Sequence, residues 1–397
     1  MIRTRVLDSI EEVAARDWNA LDLGGRPFLR HEFLAAAELS GSATPATGWT
    51  PAHLVAADGQ GVAGAMPLYL KSHSWGEFVF DFAWARAYER HGLPYYPKLV
   101  SAAPFTPASG PRLLVRPGTD ALRVRLALLT AARELAEARG LSSLHVLFAA
   151  DEDRRLLEEW GFMTRLDCQF HWRNEGYGDF EDFLAGFTAE KRKKARRERR
   201  RVAEAGLRFL ELTGADLDAT RLAVVYALHA RTFALRGNPP YFTPDFFKRL
   251  AAALPESLMV KLAVDRHGEA VACAVYLRGE DTLYGRYWGA AADHHSLHFE
   301  ACYHQGIEYC IREGLARFEP GTQGEHKIAR GFAPTPVWSY HEVRHPAFRE
   351  AIGGYLERER AAVADYMRAA AAHVPFRRPA AAATLEFDAA DPDPRAD

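Results

Sequence analysis

Apolar residues in the first part of the chain pass from alternation to helical spacing in a fixed order. The runs AHLVAAD (52–58) and VAGAMPLYLKS (62–72), separated by Asp58-Gly59, predict a β-hairpin. GEFVFDFAW (76–84) predicts a third strand, and its alternation puts Phe78, Phe80 and Phe82 on one buried face. Pro94, Pro97, Pro104, Pro107 and Pro111 then exclude regular helix, which makes the stretch to about 117 an irregular loop. Thr119-Asp120 caps an amphipathic helix whose leucines recur every three or four residues until Gly140. A buried strand, LHVLFA (144–149), follows. The short helix DEDRRLLEEWG carries acids in its first turn, where the helix dipole favours them, and the half closes near residue 165.

The same order returns with different residues. Thr188 caps a helix through the basic segment to Gly206, and another helix covers about 216–235. SLMVKLAVD (257–265), EAVACAVYLRG (269–279) and TLYGRYWGA (282–290) form an antiparallel meander, joined by His267-Gly268 and Gly279-Glu280-Asp281. A helix over 297–314 stops at Gly314, and the strand ARFEPG opens into the loop TQGEHKIARGF. From about 377 the chain is Ala, Pro and Asp with little to bury, which predicts a disordered tail over 377–397.

With 397 residues, 48% of them hydrophobic and 26% charged, the chain exceeds what one core usually organises, and about two domains are expected. The readings above divide it into 1–165 and 166–376. Cys168, Cys273, Cys302 and Cys310 show no paired spacing, and the opening MIRTRVLDSIEEVAARDW lacks the apolar core of a signal peptide. No apolar run approaches the roughly 20 residues that cross a bilayer. A reducing cytoplasm is the expected location. The formal net charge of −2 conceals an asymmetry: KRKKARRERRR (191–201) holds nine basic residues and one acid, so the remainder of the chain is acidic. Cationic density confined to one helix, 189–205, points to a local anionic ligand, with Lys193, Arg196 and Arg200 as candidate contacts, and against nucleic-acid binding over a whole face. Phosphate, a lipid headgroup or membrane surface, and an RNA backbone remain open, as does a plain solvated helix.

Meander, long helix, strand, short helix, strand is the order of the GNAT acyltransferase fold. Two such units resemble the Fem-type peptidyltransferases, and several strings resemble a bacterial family of FemAB-like predicted N-acyltransferases. They are FLRHEFLAAAELSG (28–41), AMPLYLKSHSWGEFVFDFAWARAYERHGLPYYPKLVSAAPFTP (65–107), FHWRNEGY (170–177), KRKKARRER (191–199), LYGRYWGA (283–290), LHFEACYHQGIEY (297–309) and FEPGTQGEHKIARGF (318–332). The resemblance implies an α+β fold of two tandem GNAT-like domains, with mainly antiparallel sheets flanked by helices. It also implies transfer of an acyl or aminoacyl group from an activated ester to an amine, and a basic helix close to the substrate cleft of the second domain. The acceptor would be a small-molecule or peptide amine.

The densest collection of reactive groups lies between Glu319 and Phe332. Gly324 and its neighbouring glycines allow close backbone approach to a ligand. Glu325 or His326 is the candidate base, and Lys327 and Arg330 are candidates to hold a phosphate or carboxylate. The alternative is a solvated connecting loop. Glu300 is an alternative base on the 297–314 helix, whose polar side also offers His298; Arg286 and Trp288 on the preceding strand join the candidate substrate-binding set. Tyr95, Tyr96 and Lys98, held between prolines, read as pocket wall. His294 and His298 share a helix spacing but lack further ligands, so no metal site is assigned. Cys302 and Cys310 read as packing, and no activated Ser or Cys argues for a covalent intermediate. The R/Q-x-x-G-x-G/A loop with which acetyl-CoA-using GNAT enzymes hold pyrophosphate is absent from RPGTDALR (116–123) and AADHHSLHFE (291–300). The donor is left as acyl-CoA or aminoacyl-tRNA, with no permanently bound cofactor expected. Transfer-RNA-dependent addition to a peptidoglycan precursor is one alternative function; a non-catalytic RNA- or anionic-lipid-binding protein on the same fold is another.

Overall fold

The computed structural model describes residues 2–322 and 324–377. Apart from Arg377, the tail expected to be disordered lies outside the described residues. The first part of the chain runs β1 (Arg3–Leu7), α1 (Ala15–Asn19), α2 (His31–Leu39), β2 (Trp49–Pro51), β3 (His53–Asp58), β4 (Gly61–Met66), β5 (Tyr69–Lys71), α3 (Phe82–Arg90), β6 (Lys98–Ser101) and β7 (Leu114–Val115). It continues through α4 (Ala121–Ala138), β8 (Ser143–Ala149), α5 (Asp151–Glu159) and β9 (Met163–Arg173). The second part adds α6 (Phe180–Ala185), α7 (Ala189–Glu204), β10 (Arg208–Thr213), α8 (Ala219–Ala234), α9 (Pro244–Ala253), β11 (Leu258–Val264), β12 (Ala270–Arg278) and β13 (Thr282–Ala290). Then α10 (Leu297–Phe299) passes through a π turn (Glu300–His304) into α11 (Gln305–Arg312), followed by β14 (Arg317–Glu319), β15 (Ala333–Val343) and α12 (Pro346–Ala371).

The architecture is α+β, with mainly antiparallel sheets flanked by helices, and its two halves share a similar order of elements. Two sheets carry it. A four-stranded sheet, β1-β3-β4-β7, covers one side of the first half, and an eleven-stranded sheet runs β10-β11-β12-β13-β14-β9-β15-β8-β6-β5-β2 through both halves. The continuity comes from an exchange at the centre. β15, the last strand among the described residues, enters between β9 and β8, pairing antiparallel with β9 from Ala333↔His171 to His341↔Met163 and with β8 from Trp338↔Ala149 to Val343↔Ser143. Pro334 and Pro336 fall where β15 has only β9 beside it, so the missing N–H groups interrupt no ladder with β8. The expected boundary at 165 lies inside β9.

Local signals explain many of the elements. Asp120 accepts from the Arg123 amide to cap α4, Asp218 does the same for α8 through Arg221, and Gly140 and Gly161 take positive φ after α4 and α5. The run 62–72 is not one strand: Pro67 breaks it, sending β4 to the small sheet and β5 to the large one. The strand expected over 76–84 is also replaced, by an irregular segment leading into α3. Glu77 and Asp81 turn inward to the buried ammonium of Lys98, so the aromatics between them cannot share one core face. Phe80 is 54% exposed, Phe82 is half-buried, and Phe78 sits at φ +61° against Tyr241.

β8 and β15 also bring His145 and His341 together. Their Nδ1 atoms are 2.6 Å apart, so one ring donates and the other accepts, and Trp84 lies edge-on to His341. Burial, followed by Lys98, lowers His145 to about 3, and burial and His145 hold His341 well below the usual imidazole range. Both therefore remain neutral in the fold while the unfolded chain takes up protons below about 6.5. Their contribution is present above that pH and is lost as pH falls towards the folded value of about 3. Urea unfolding of the parent and of His145→Gln between pH 6.5 and 5 should show the variant losing about 1.4 kcal/mol less stability per pH unit. Parallel pH profiles would remove the pair from the account of acid sensitivity.

Candidate functional site

Each half contains one parallel strand pair, where a sheet of this kind can part, and the two places differ. In the first half β6 pairs with β8 from Leu99↔Leu144 to Ser101↔Val146. Beyond it, the buried chain 102–113 fills the opening. Gly110 bridges Ala149, the Arg112 guanidinium donates to the carbonyls of Ala108, Gly110, Pro111 and Leu147, and Asp153 accepts from the Arg112 and Leu113 amides. In the second half β13 pairs with β14 only from Thr282↔Arg317 to Tyr284↔Glu319, and among the described residues no strand fills the divergence that follows. A register shift between β12 and β13 puts an extra residue, Arg286, opposite the Val275/Tyr276 step. Here a cavity of about 90 Å³ is lined by Arg286, Tyr287 and Trp288 of β13, by His298, Cys302 and Tyr303, and by Pro320. The π turn supplies Cys302 and Tyr303, and such one-turn bulges commonly re-aim side chains at functional sites.

The loop after β14 folds over this opening. Its 3₁₀ turn (Glu325–Arg330) is flanked by Gly324 at φ +113° and Gly331 at φ +90°. At Gly324 a Cβ would lie 2.1 Å from the His326 ring, so only glycine permits this approach. His326 Nε2 is 2.7 Å from the Tyr303 hydroxyl, and burial followed by Lys327 and Arg330 lowers its pKa. Lys327 is buried and donates to the Gly321 carbonyl at 2.6 Å; burial lowers it to about 7, with only the Cys302 thiol opposing. His298, edge-on to Trp288, is lowered to about 4 by burial, His326, Arg330 and Lys327. Glu319 closes the vertex of the divergence. Burial raises it to about 7 against the pull of Arg26 and Arg317, and its Oε2 has no partner among the described residues.

This geometry redistributes the candidates drawn from the sequence. Arg286, Trp288 and His298 line the cavity, and His326 touches it through Tyr303, while Gly324 and Lys327 belong to the adjoining turn, where Lys327 bonds to the Gly321 carbonyl. Arg286 also reaches across to the first half, donating to the Phe105 carbonyl at 2.6 Å. Glu325 is a correction: it is exposed and accepts from the Tyr366 hydroxyl of α12 at 2.9 Å, away from the cavity. Glu300 is another. It lies on the side of the π turn facing α7, where Arg199 and Gln305 donate to it. Arg330 does not offer a free cation to substrate, since Glu198 of α7 binds it at 2.5 and 3.2 Å and its own side chain donates to the His326 carbonyl. It ties the loop to the basic helix instead. Of the exposed α7 candidates, Arg196 pairs with Glu181 at 2.5 Å and Arg200 lies 3.8 Å from Glu204, while Lys193 has no ion-pair partner among the described residues.

Tyr95, Tyr96 and Lys98 are not a pocket wall. Lys98 is wholly buried and donates to Glu77, Ser74 and Asp81; Tyr95 donates to Asp81, and Tyr96 shares a 2.7 Å hydrogen bond with Ser74. Burial would raise Asp81, but Lys98 and its other partners bring it down to about 2. The network anchors the 74–81 segment to the sheet. Glu319, Tyr303 and Glu198 received no role from sequence pattern. The strand end preceding a glycine-rich loop could have marked Glu319, whereas Tyr303 and Glu198 are brought into place by the π turn and by the packing of α7. Among the described residues no group of three or more His, Cys, Asp or Glu is arranged to hold a metal, and no helix is long and apolar enough to cross a membrane.

Sequence comparison matches residues 9–378 to the FemAB-like family, described as peptidoglycan biosynthesis/recognition. The chain belongs to the FemAB-like family. No curated protein sequence matches it. Among solved structures this FemAB-like chain is similar to FemX, with a TM-score of 0.52 at 12% identity over 88% of this chain and 100% of that one. It is also similar to L-PGS from Bacillus licheniformis, with a TM-score of 0.50 at 11% identity over 84% and 97% of the two chains. A conserved protein of unknown function from Bacteroides thetaiotaomicron aligns with a TM-score of 0.50 at 12% identity, over 86% and 100%. At these identities the similarity describes the fold.

Two outcomes separate structural from chemical roles in this FemAB-like chain. Lys98→Met should destabilise it by about 3–5 kcal/mol in urea unfolding, because Glu77 and Asp81 would be left buried without their cation. Adding Glu77→Gln and Asp81→Asn should recover part of that loss. Glu325→Gln should change stability by less than about 0.5 kcal/mol, as expected of an exposed side chain.

Proposed function

We propose that this FemAB-like protein transfers an acyl or aminoacyl group from an activated ester to an amine at the opening between β13 and β14. The observation that carries the reading is Lys327: a buried amine on a glycine-flanked turn, drawn down to about 7 by burial, with no carboxylate bonded to it among the described residues. A substantial fraction is then uncharged near neutrality and able to accept a proton. The acceptor nitrogen attacks the carbonyl carbon and forms the new C–N bond. Lys327 takes the proton that this nitrogen must lose, the bond from carbon to the leaving oxygen or sulfur breaks, and the Lys327 ammonium returns the proton to the leaving group. The Tyr303 hydroxyl, held by His326, is the donor for the tetrahedral oxyanion, while Arg286 and Trp288 position the donor. Direct attack fits a site whose nearest thiol, Cys302, is raised well above its usual range by burial.

An aminoacyl ester carried on tRNA, transferred to a peptidoglycan precursor, is the form of the reaction favoured by the family description and by the cations of α7 beside the loop. Acyl-CoA is the competing donor. The N-terminus of α4, one place where a pyrophosphate could rest, is occupied by the chain's own Asp120 carboxylate.

Assays pairing charged tRNA or acyl-CoA with amine-bearing cell-wall precursors would test both donors. With the active pair, kcat/KM should rise with pH through about 7 as Lys327 loses its proton. Lys327→Met should lower it by roughly 10²–10⁴-fold and remove that limb. Lys327→Arg, which stays charged, should be comparably impaired. A Lys327→Met enzyme that retains full rate, with native circular dichroism, would reject the proposal.

A further inference from the structure

Three large rings face outward on the first half. Trp75 is 57% exposed and Phe80 54%, and Phe82 is half-buried. They form one cluster: the Trp75 and Phe82 ring centroids are 5.7 Å apart, and Phe80 stacks on Phe82 at 6.0 Å. The backbone that carries them is held from beneath. Ser74, Glu77 and Asp81 turn inward to Lys98, while the buried Lys71 amine donates to the Trp75 carbonyl at 3.4 Å. Arg165, itself paired with Glu359, donates to the Phe80 carbonyl at 3.0 Å. At Gly76, φ +80°, a Cβ would meet the Phe105 ring at 2.4 Å, so this turn is pressed against the core. The acids of the segment thus point in, and Trp75 and Phe80 point out on a fixed base, which inverts ordinary burial.

Cations follow on the adjoining helix. Arg86 and Arg90 lie one and two turns after Phe82 on the same side of α3, and both are exposed with no ion-pair partner among the described residues. Glu89 is the only acid in α3. Arg86 stands about 6 Å along the helix axis from Phe82. That distance matches the headgroup layer of one bilayer leaflet, roughly 5–8 Å thick.

The size of the patch bears on what covers it. A large aromatic side chain buries about 150–250 Å², so the exposed parts of these three rings offer on the order of 300 Å². A standard protein interface takes roughly 800 Å² from each partner. A second copy of the chain would therefore gain too little here, whereas a lipid surface needs no complementary shape. We propose that Trp75, Phe80 and Phe82 enter the interface of an anionic phospholipid bilayer, with Arg86 and Arg90 at its phosphates. Aromatic rings favour that boundary, and the indole N–H of Trp75 stays in the polar layer. Apolar area this small gives reversible attachment and needs the cations as a second contribution. The inference is independent of the transfer chemistry assigned to Lys327 and of any ligand of α7.

Flotation of the full chain with vesicles tests it. Equimolar phosphatidylcholine and phosphatidylglycerol should bind the protein about 10-fold or more tightly than phosphatidylcholine alone. Trp75→Ser/Phe80→Ser should weaken binding to the mixed vesicles by a similar factor, and Arg86→Gln/Arg90→Gln should remove most of the preference for anionic lipid, both with native circular dichroism. Lipids brominated on their acyl chains should quench the parent's fluorescence more than that of Trp75→Phe, which separates insertion from adsorption by charge. Failure of the parent to float with mixed vesicles, or unchanged binding by Trp75→Ser/Phe80→Ser, would overturn the proposal. So would a lipid-free dimer of the parent that Trp75→Ser/Phe80→Ser dissociates, which would make the occupant a second copy.

Discussion

β15 lies between β9 and β8, and the relation of the two halves depends on that placement. A loosely joined pair of domains would meet through side chains and could shift against one another. Here the contact is a ladder of main-chain hydrogen bonds through the centre of one sheet, reinforced by the buried pair His145 and His341. Because β15 follows directly on the 320–332 loop, anchoring the strand also fixes one end of that loop. Its other end is fixed by β14 against β13 and β9. A short glycine-bearing segment stretched between two held strands can bury a lysine without a carboxylate partner, which a free surface loop would not tolerate.

The halves share an order of elements and differ in what fills the parting of their sheets. In the first, a buried and mostly apolar segment is packed into the opening, with its one charged side chain, Arg112, satisfied by carbonyls and the Arg112 and Leu113 amides by Asp153. In the second, the α-helix that would follow the strand is replaced by a 3₁₀ turn, and polar groups are left near a cavity with fewer partners. Buried charge follows the same division. Lys98 is surrounded by carboxylates and stays an ammonium, while Lys327 has none among the described residues and is drawn towards neutrality. Two buried lysines thus have opposite character, set by their neighbours.

Much of the fold was legible where local rules decide it. Capping at Asp120, the glycine stops at 140 and 161 and the meander of β11 to β13 all follow from short-range chemistry. The gathering of Gly324, His326 and Lys327 near the 297–312 helix was legible too, because adjacent residues on a glycine loop must end up together. Direction was not. Which way Glu325 points depends on α12, and which face Glu300 takes depends on a π turn that shifts the helical phase. The alternation of Phe78, Phe80 and Phe82 misled because Lys98, some twenty residues on, draws in the intervening acids. No periodicity in β9 or β15 reveals which strand each will choose, since pairing across the halves is a long-range event.

The central position of β15 also bears on synthesis. A ribosome delivers β8 well before β15, so the first half emerges with the edge that β15 will cover unpaired, next to the apolar face built by α4. That edge must wait for roughly 190 residues, or about 10–40 s at ordinary elongation rates. During that interval the nascent chain presents a sticky border of the kind that chaperones shield, and stalling or cleavage before residue 333 would leave an aggregation-prone fragment instead of an independent domain.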